Sequence, residues 1–479
     1  MSDLKQSTKR ALIWSALDKG GQQFLLFISG IVTMRLLGAE AFGIVAPLAL
    51  FTGIANILTE GGLSVALIRK KDASEVDYNT MFWFNLGLGA LFYVALFFSA
   101  PLIAHYNNLP ELTGIARVQF LIVIFYSLGL IQSTRLIKQS DFKRLGIANV
   151  TSVFVSVVVV LVLAILGYGV WAIVMQYLAQ AFTRLVLLWF LSDFKPRLMY
   201  SWRSFREMFG FSSKLIVGSL TNSISLNFYA SALGKYLPTV QVGLYERANK
   251  IKETGVGFMT HIFGHSLFLM LSQLQDEPLR FLQALGKSVR TVSFVLFPAL
   301  LGLAVVSPSL VLIVIGEEWM PIVPYLQILC FSGIFYVLSY LYGNALKARG
   351  RSDITLTFDI LHAVLLVAFL YVTIRHGLIP ALLADVACKL IVFGCYSVAS
   401  ARILGYRLLN QLRDISPYAG LALAMAGLAW GAQYLILNPF LLVSVQIAGS
   451  MLFYLGINKV LGSKVLDEII QTFKKKKNA

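Results

Sequence analysis

The chain has 479 residues, of which 58% are hydrophobic and only 13% are charged. Because charged residues make up about a quarter of an average soluble domain, this composition excludes a water-soluble globular protein and indicates a polytopic membrane protein. The net charge of +17 would point to nucleic acid in a soluble protein, but most of these basic residues flank apolar segments. We therefore expect membrane lipids as partners and no nucleic acid.

Fourteen apolar segments follow the basic N-terminus, and each is long enough to cross a bilayer as a helix at about 1.5 Å per residue. The first segment is too long, and too polar at its start, for a cleaved signal peptide, so we expect it to remain as the first helix. The segments cover residues 12–34, 41–67, 79–101, 115–137, 147–166, 169–191, 209–233, 241–271, 284–306, 322–346, 354–374, 378–400, 416–436 and 440–458.

The charges between the segments indicate a topology. If the N-terminus is cytoplasmic, 29 of the 40 lysines and arginines lie in inner loops and tails, whereas Arg35, Lys235 and Arg375 lie in outer loops. A segment wrongly added or omitted in the middle would move every later loop to the other side, so this asymmetry supports the count of fourteen. It also predicts that both termini are cytoplasmic.

The longest inner connection covers residues 192–208 and contains four basic residues, a proline and several aromatic residues. We interpret it as an interfacial linker with an amphipathic second half. Six segments precede it, and six follow before a final pair. Because six is even, both sets of six enter the membrane from the same face, as parallel repeats do.

The predicted fold is therefore an all-α membrane protein with 14 transmembrane helices, in which two six-helix bundles enclose a cleft. The first bundle covers residues 1–193, the linker residues 194–208 and the second bundle residues 209–401. Residues 402–479 supply two further helices and a basic tail. We expect the four consecutive lysines of this tail to bind anionic lipid headgroups.

A short internal repeat supports the two halves. Residues 235–245 (KYLPTVQVGLY) align without a gap with residues 35–45 (RLLGAEAFGIV), so that Gly243 corresponds to Gly43. Each copy lies between the first and second apolar segments of its half. Just after the first copy, Pro47 is a predicted kink.

Fourteen charged residues fall inside the predicted spans, apart from Arg135, Lys287 and Arg290, which lie toward the inner ends of their segments and are counted with the inner loops. Each costs roughly 2.5 to 3.5 kcal/mol at the bilayer centre, so eight basic groups facing lipid would cost about 20 kcal/mol or more, which exceeds the net stability of a typical protein. Most must face a wet cavity, form pairs or lie near a helix end. They are Asp18, Lys19, Glu60, Arg117, Arg184, Lys214, Glu246, Arg247, Lys250, Lys252, Glu253, Asp359, Asp385 and Lys389.

Spacing suggests roles for some of these charges. Asp385 and Lys389 are four residues apart and are predicted to form a structural pair. Asp18 and Lys19 adjoin two glycines that permit close helix packing, so both a packing and a functional role remain open. Arg184 lies near enough to a helix end for its side chain to reach the interface.

The eighth segment is the most highly charged, and its charges allow two interpretations. Glu246, Lys250 and Glu253 share one helical face and could neutralise one another. Alternatively, Arg247 and Lys250 form a basic stripe that faces the cleft. The corresponding residues of the first repeat, 46–50 (APLAL), carry no charge, so the cationic wall would belong to the second half.

Other chemistry is not indicated. His261 and His265 are four residues apart, but they lack the glutamate of an HExxH zinc motif. Cys330, Cys388 and Cys395 lie inside apolar runs without metal-ligand spacing, so we interpret them as packing residues. We find no phosphate-binding loop and no catalytic constellation. We therefore expect neither enzyme activity, nor a metal site, nor a cofactor.

Three stretches of the first half resemble the bacterial polysaccharide exporters of the multidrug/oligosaccharidyl-lipid/polysaccharide (MOP) superfamily, in particular those of the O-antigen and colanic-acid flippase type. These stretches are IVTMRLLGAEAFGIVAPL, GGLSVALIRKKDASEVDYNTMFWFNLGLG and GYGVWAIVMQYLAQ. The resemblance implies a MATE-like fold with two six-helix lobes and two extra helices. It also implies a location in the bacterial inner membrane.

As substrate, the resemblance implies oligosaccharide repeat units on undecaprenyl diphosphate, moved from the inner to the outer leaflet by alternating access, with a polysaccharide polymerase as a further partner. The family has a cationic lumen. In this sequence that lumen corresponds to Lys19, Arg117, Lys214, Arg247 and Lys250.

Two other functions remain as alternatives. A MATE-type multidrug cation antiporter would need unpaired acids in the first half, where Asp18 and Glu60 are available. A membrane glycan polymerase or ligase should have a long outer loop for its active site. The longest predicted outer loops, near residues 102–114 and 307–321, have about fifteen residues or fewer.

Overall fold

The computed structural model describes residues 2–60, 63–70, 72–210, 212, 229, 231–463, 465–468 and 471. Within these ranges, the side chains of residues 2–17, 56, 58–60, 63, 258 and 261–266 are not described. The described chain consists of α-helices and short connections, without strands, and forms two compact units, Met1–Gly243 and Leu244–Ala479.

Among the described residues, unit 1 contains eight of the numbered helices, the start of a ninth and helical stretches at residues 202–210 and 231–236, whereas unit 2 contains the rest of the ninth helix and six more. The helices are α1 Ser2–Val45, α2 Leu48–Glu60, α3 Leu63–Arg69, α4 Glu75–Tyr106, α5 Leu112–Gln119, α6 Leu121–Lys138, α7 Phe142–Ile165, α8 Val170–Leu191, α9 Thr239–Gln273, α10 Pro278–Val314, α11 Val323–Ala348, α12 Ser352–Thr373, α13 Leu378–Ala399, α14 Leu408–Gly431 and α15 Pro439–Val460.

Eleven helical segments of the described chain are long and apolar enough to cross a membrane, so the chain is a multi-pass membrane protein. They correspond to eleven of the fourteen predicted segments. The second segment is divided between α2 and α3, and most of the seventh, residues 209–233, lies outside the described residues. The eighth is the 35-residue helix α9, whose cluster of charges lowers its mean hydropathy.

The predicted repeat has a structural counterpart in unit 1. Helix α1 continues through the predicted turn to Val45, but its backbone breaks at Gly38, where φ is +68° and ψ is 174°. The aligned residue of the second copy is Pro238, and α9 begins directly after it. Glycine tolerates positive φ, and proline is compatible with a helix start because it lacks an N–H. In both copies of the repeat, a helical stretch therefore begins just after the same aligned position, although that position is Gly38 in one copy and Pro238 in the other.

After these breaks, α1 and α9 contact each other backbone to backbone. A Cβ atom at Gly43 would lie 1.8 Å from the carbonyl oxygen of Thr239, and one at Gly243 would lie 1.8 Å from the carbonyl oxygen of Ala39. The two contacts are equivalent under the repeat. Each helix presents two small residues four apart, a pattern that allows close helix approach in membranes. We call this contact the glycine crossing.

The residues before α9 pack on the same end of unit 1. A turn at Ala46–Pro47 separates α1 from α2, which confirms the predicted kink at Pro47. A Cβ atom at Gly234 would lie 2.8 Å from Pro47 Cγ. Nearby, the Lys235 ammonium lies 4.2 Å from the centre of the Tyr106 ring. The glycine crossing is therefore one part of a larger contact surface.

The linker between the predicted lobes is fixed to α4. Trp83 Nε1 donates to the carbonyl oxygen of Arg197 at 2.8 Å, and the Ser201 amide donates to Thr80 Oγ1 at 2.9 Å. The second half of the linker forms a helix at residues 202–210. Leu198 is 90% exposed, so the linker presents apolar surface as an interfacial segment would.

A group of charged residues holds the C-terminal end of this linker against the rest of unit 1. Lys70 Nζ lies 3.0 Å from Asp77 Oδ1 and 3.3 Å from Glu207 Oε2. Burial acts to lower the pKa of Lys70, but hydrogen bonds to these two carboxylates outweigh it and raise that pKa. Lys70 therefore stays charged and joins the end of α3 to α4 and to the linker helix.

In unit 2, α10 packs against α11, α14 and α15, and α13 packs against α11 and α12. Polar contacts hold the last two long helices in place. Arg290 of α10 pairs with Asp414 of α14 at 2.7 Å. The Tyr454 hydroxyl of α15 donates to the carbonyl oxygen of Phe294 at 3.0 Å. The two extra helices are thus integral to unit 2.

The glycine crossing generates a stability prediction. Gly43→Ala and Gly243→Ala should each lower the melting temperature of the purified protein, because the new methyl group meets backbone rather than a movable side chain. Overpacking of this kind typically costs about 1–3 kcal/mol. Because both substitutions separate the same contact, we expect the double variant to be less destabilised than the sum of the singles.

Gly30→Ala, on the same helix α1, is the matched control, since a Cβ atom at Gly30 has no other atom within 4 Å. It should leave the melting temperature unchanged or slightly higher, because alanine is the better helix former. Equal melting temperatures for all three single variants would contradict the backbone contact.

Candidate functional site

Helix α9 has a buried face and an accessible face. Tyr245, Ala248, Lys252 and Val256 are buried and recur every three or four residues, as one face of a helix requires. Lys250 is exposed and Arg247 is half-buried. The charges that sequence reasoning grouped together are therefore divided between two surroundings.

On the accessible face, Lys250 and Arg247 both lie close enough to Glu246 to act on it electrostatically. Within the described chain, Lys250 forms no ion pair with Glu246 or Glu253. Instead, Glu253 Oε1 accepts a hydrogen bond from Asn249 Nδ2 at 3.1 Å. The Lys250 ammonium thus remains available to a ligand, and Arg247 lies one turn away on the same helix. These two side chains form a cationic pair suited to an anion such as a phosphate.

In unit 1, Lys19 is exposed on α1, whereas its neighbour Asp18 is buried. Asp18 accepts hydrogen bonds from Gln22 Nε2 at 2.6 Å and from Asn149 Nδ2 at 3.1 Å. Arg184 Nε in turn donates to Asn149 Oδ1 at 3.0 Å. Asn149 therefore connects Asp18 to Arg184 and links helices α1, α7 and α8. This favours the packing role for Asp18 and shows Arg184 in a polar network.

Arg117, another predicted site residue, contacts α4. Its guanidinium lies 4.4 Å from the centre of the Phe97 ring, and its Nε donates to the Phe97 carbonyl oxygen at 3.4 Å. Lys214 lies outside the described residues. Arg247 and Lys250, in contrast, lie three residues apart on one described helix.

The predicted pair of Asp385 and Lys389 is confirmed. Lys389 Nζ lies 2.8 Å from Asp385 Oδ2, and Asp385 is buried. Ser332 of α11 completes the group, because its hydroxyl donates to Asp385 Oδ2 at 2.7 Å and also lies 2.7 Å from Lys389 Nζ. Spacing predicted the pair, but it could not indicate the serine from another helix.

The described chain offers no cluster of three or more histidine, cysteine or acidic side chains that could hold a metal ion. The side chains of His261 and His265 lie outside the described residues. The three cysteines are free, and Cys330 and Cys388 are buried among the helices. Their surroundings agree with the predicted packing role.

These helices, with a cationic pair on one of them, define a multi-pass helical membrane protein with polar groups between its helices. Residues 32–324, more than half of the chain, match the polysaccharide biosynthesis protein family. The chain therefore belongs to this family.

Two relatives match most of the chain. The lipopolysaccharide biosynthesis protein WzxC of Escherichia coli (strain K12) is 26% identical over 359 residues, which cover 74% of this chain and 73% of WzxC. The succinoglycan biosynthesis transport protein ExoT of Rhizobium meliloti (strain 1021) is 24% identical over 413 residues, which cover 86% of this chain and 82% of ExoT.

Two solved structures share the fold. The lipid II flippase MurJ, in an inward closed conformation, superimposes with a TM-score of 0.75 at 14% identity, covering 94% of this chain and 98% of the MurJ chain. A multidrug resistance MATE family transporter of the MOP superfamily, in an inward-facing conformation, gives a TM-score of 0.62 at 14% identity, covering 83% of this chain and 96% of the transporter. The chain therefore shares its fold with these two transporters.

The buried pair generates a second stability prediction. Asp385→Asn should destabilise the protein by about 3–5 kcal/mol, because it leaves the Lys389 ammonium without its counter-charge. Thermal unfolding of the purified protein measures this loss. Removing both charges in the double variant Asp385→Asn, Lys389→Met should restore much of the stability.

The pair of Arg351 and Asp353 is the matched control, since its members lie 2.9 Å apart but are exposed. Asp353→Asn should leave the melting temperature close to that of the wild type. If Asp385→Asn behaves like Asp353→Asn, the Lys389 ammonium does not depend on this carboxylate.

Proposed function

We propose that this protein is an inner-membrane flippase. It moves undecaprenyl-diphosphate-linked oligosaccharide repeat units from the cytoplasmic to the outer leaflet for the synthesis of a surface polysaccharide. Membership of the polysaccharide biosynthesis family supports this proposal, as do the names of its relatives. The observation that carries it is the cationic pair of Arg247 and Lys250 on the accessible face of α9.

The length of α9 makes this pair informative. A helix of 35 residues is about 52 Å long and can cross the hydrocarbon core of a bilayer. An exposed ammonium on such a helix is costly when it faces lipid, so Lys250 should meet water or an anion. A lipid diphosphate is an anion whose glycan needs a wet passage and whose tail needs lipid. Arg247 and Lys250 can bind the phosphates while the tail stays in the bilayer.

Lys19, Arg117 and Lys214 stay in the proposal as further cations of the passage. Lys19 supports it most directly because its side chain is exposed. Arg117 is held against Phe97, so we expect it to contribute positive potential rather than direct contact. These residues and the pair on α9 would form the cationic lumen that the family resemblance implies.

We propose that transport proceeds by alternating access between the two halves. If the N-terminus is cytoplasmic, the glycine crossing lies near the outer face. Its two contacts are backbone to backbone, so it can separate without breaking an ion pair. The crossing would close the outer side and open to release the glycan, which a polysaccharide polymerase would then consume.

The structure supports the two alternatives less well. A cation antiporter needs acids that are free to bind cations or protons, but Asp18 already accepts hydrogen bonds from Gln22 and Asn149. The Glu60 side chain lies outside the described residues. A polymerase needs a long outer loop, whereas α4 and α5 are separated by only residues 107–111 in the described chain.

The cationic pair generates a functional prediction. Arg247→Ala combined with Lys250→Ala should reduce surface polysaccharide at least about tenfold, because each hydrogen bond to a charged group contributes about 1.5–3 kcal/mol. The assay is complementation of a deletion strain, with membrane levels and melting temperature measured in parallel. The conservative double variant Arg247→Lys, Lys250→Arg should retain most of the polysaccharide.

The double variant Arg413→Ala, Lys459→Ala is the matched control, since it removes the same number of charges from exposed positions on α14 and α15. It should leave polysaccharide levels unchanged. Normal polysaccharide from the Arg247, Lys250 double alanine variant would remove the pair from the site. Resistance to toxic cations without any polysaccharide defect would favour the antiporter.

A further inference from the structure

The buried face of α9 contains a charged residue whose position the proposed substrate site does not explain. Lys252 is only 7% exposed, although it lies two residues from the exposed Lys250. In the part of the chain that the structure describes, Lys252 has neither a hydrogen bond nor an ion pair. Since buried charges in proteins are normally paired, this lysine requires another explanation.

The Lys252 side chain points toward α11. Its Cδ atom would lie 3.4 Å from a Cβ atom built on Gly333, and this glycine provides the space for the lysine stem. Ser332 directly precedes Gly333, and its hydroxyl contacts both Asp385 and Lys389. The Lys252 stem therefore packs beside the buried pair in unit 2.

Several titratable groups surround Lys252. Lys389 and Asp385 of α13, Cys330 of α11 and Glu253 of α9 itself act on it electrostatically. His362 of α12 is also influenced by Lys389 and Asp385, and its buried Nε2 has no hydrogen-bond partner among the described residues. The cluster thus contains two lysines but a single buried carboxylate, that of Asp385, and Lys389 already forms an ion pair with it.

This arrangement limits what Lys252 can bind. A side chain that is only 7% exposed offers too little surface for a phosphate or a sugar. A proton is small enough, and a lysine can exist without one in a low-dielectric site. A neutral Lys252 amine leaves the pair of Asp385 and Lys389 balanced, whereas a protonated Lys252 competes with Lys389 for Asp385.

We propose that Lys252 is the proton-binding residue that couples transport to the proton gradient. This inference rests on the proposed function. In the step itself, the Lys252 amine takes a proton from hydronium and releases water, and the new ammonium shares the Asp385 carboxylate with Lys389. Lys252 and Lys389 lie on different helices, so proton binding draws α9 toward α13. When the proton leaves Lys252, α9 moves back. The same helix α9 carries the proposed substrate cations on its opposite face.

Proton binding can be measured without any transport substrate. The full-length protein in lipid nanodiscs is titrated between about pH 6 and pH 9, a range in which an ordinary exposed lysine stays protonated. The wild type should release about one proton per chain more than Lys252→Met. The control Lys195→Met removes an exposed lysine and should release as many protons as the wild type. Identical titrations of the wild type and Lys252→Met would overturn the proposal.

Coupling is measured in proteoliposomes with an undecaprenyl diphosphate that carries one fluorescent sugar. Each unit of pH gradient can change the transbilayer distribution up to about tenfold per proton exchanged. Wild type and Lys195→Met should respond to the gradient. Lys252→Met should not, and neither should Lys252→Arg, because arginine keeps its proton. Rescue by arginine would show that Lys252 acts only as a fixed charge and would overturn the proposal.

The two measurements separate this proposal from the flippase itself. If the wild type does not move the fluorescent lipid in either direction, the proposed function fails, while the titration still decides whether Lys252 binds a proton. If the wild type moves the lipid and Lys252→Met responds to the gradient as the wild type does, the flippase stands and the coupling role of Lys252 is excluded.

Discussion

The cost of an uncompensated charge among apolar helices is the constraint on which this structure depends. The described chain meets it in different ways. Asp385 is compensated by Lys389 and Ser332, whereas Asp18 is satisfied by the amides of Gln22 and Asn149. Lys250 remains exposed and has no ion pair with any described residue. A charged side chain without a counter-charge in the protein has to interact with a ligand or with water.

Helix α9 combines several of these solutions on one element. Its first turn contacts α1 at the glycine crossing, its accessible face presents Arg247 and Lys250, and its buried face carries Lys252 beside the Asp385 pair. These three features therefore lie on one helix, and each is set by the face or the turn of α9 on which it falls.

Much of the fold could be predicted from the sequence because a bilayer requires long apolar helices with basic flanks. Eleven predicted segments recur as helices of spanning length, and the short repeat correctly aligned Gly43 with Gly243. The sequence does not indicate that α1 continues beyond the predicted turn, because Arg35 and Glu40 are typical of a loop between apolar segments. There the helix breaks only at Gly38.

The candidate site was harder to predict because it depends on which face each side chain occupies. Sequence spacing alone cannot distinguish Lys250 from Lys252 when both lie on one charged helix. The structure resolves the two, since Tyr245, Ala248 and Val256 form the buried face on which Lys252 falls. The roles of Ser332 and Asn149 could not be predicted, because sequence spacing does not show which side chain on another helix a neutral polar residue will contact.

The central claim is that the accessible face of α9 binds the lipid diphosphate, and site-specific photocrosslinking tests it most directly. A photoreactive amino acid at position 250 should crosslink a radiolabelled undecaprenyl-diphosphate-linked sugar, and excess unlabelled carrier should prevent the reaction. The same amino acid at position 245, on the buried face, should not crosslink it. Equal labelling from both positions, or labelling at 250 by bulk phospholipid alone, would contradict the account.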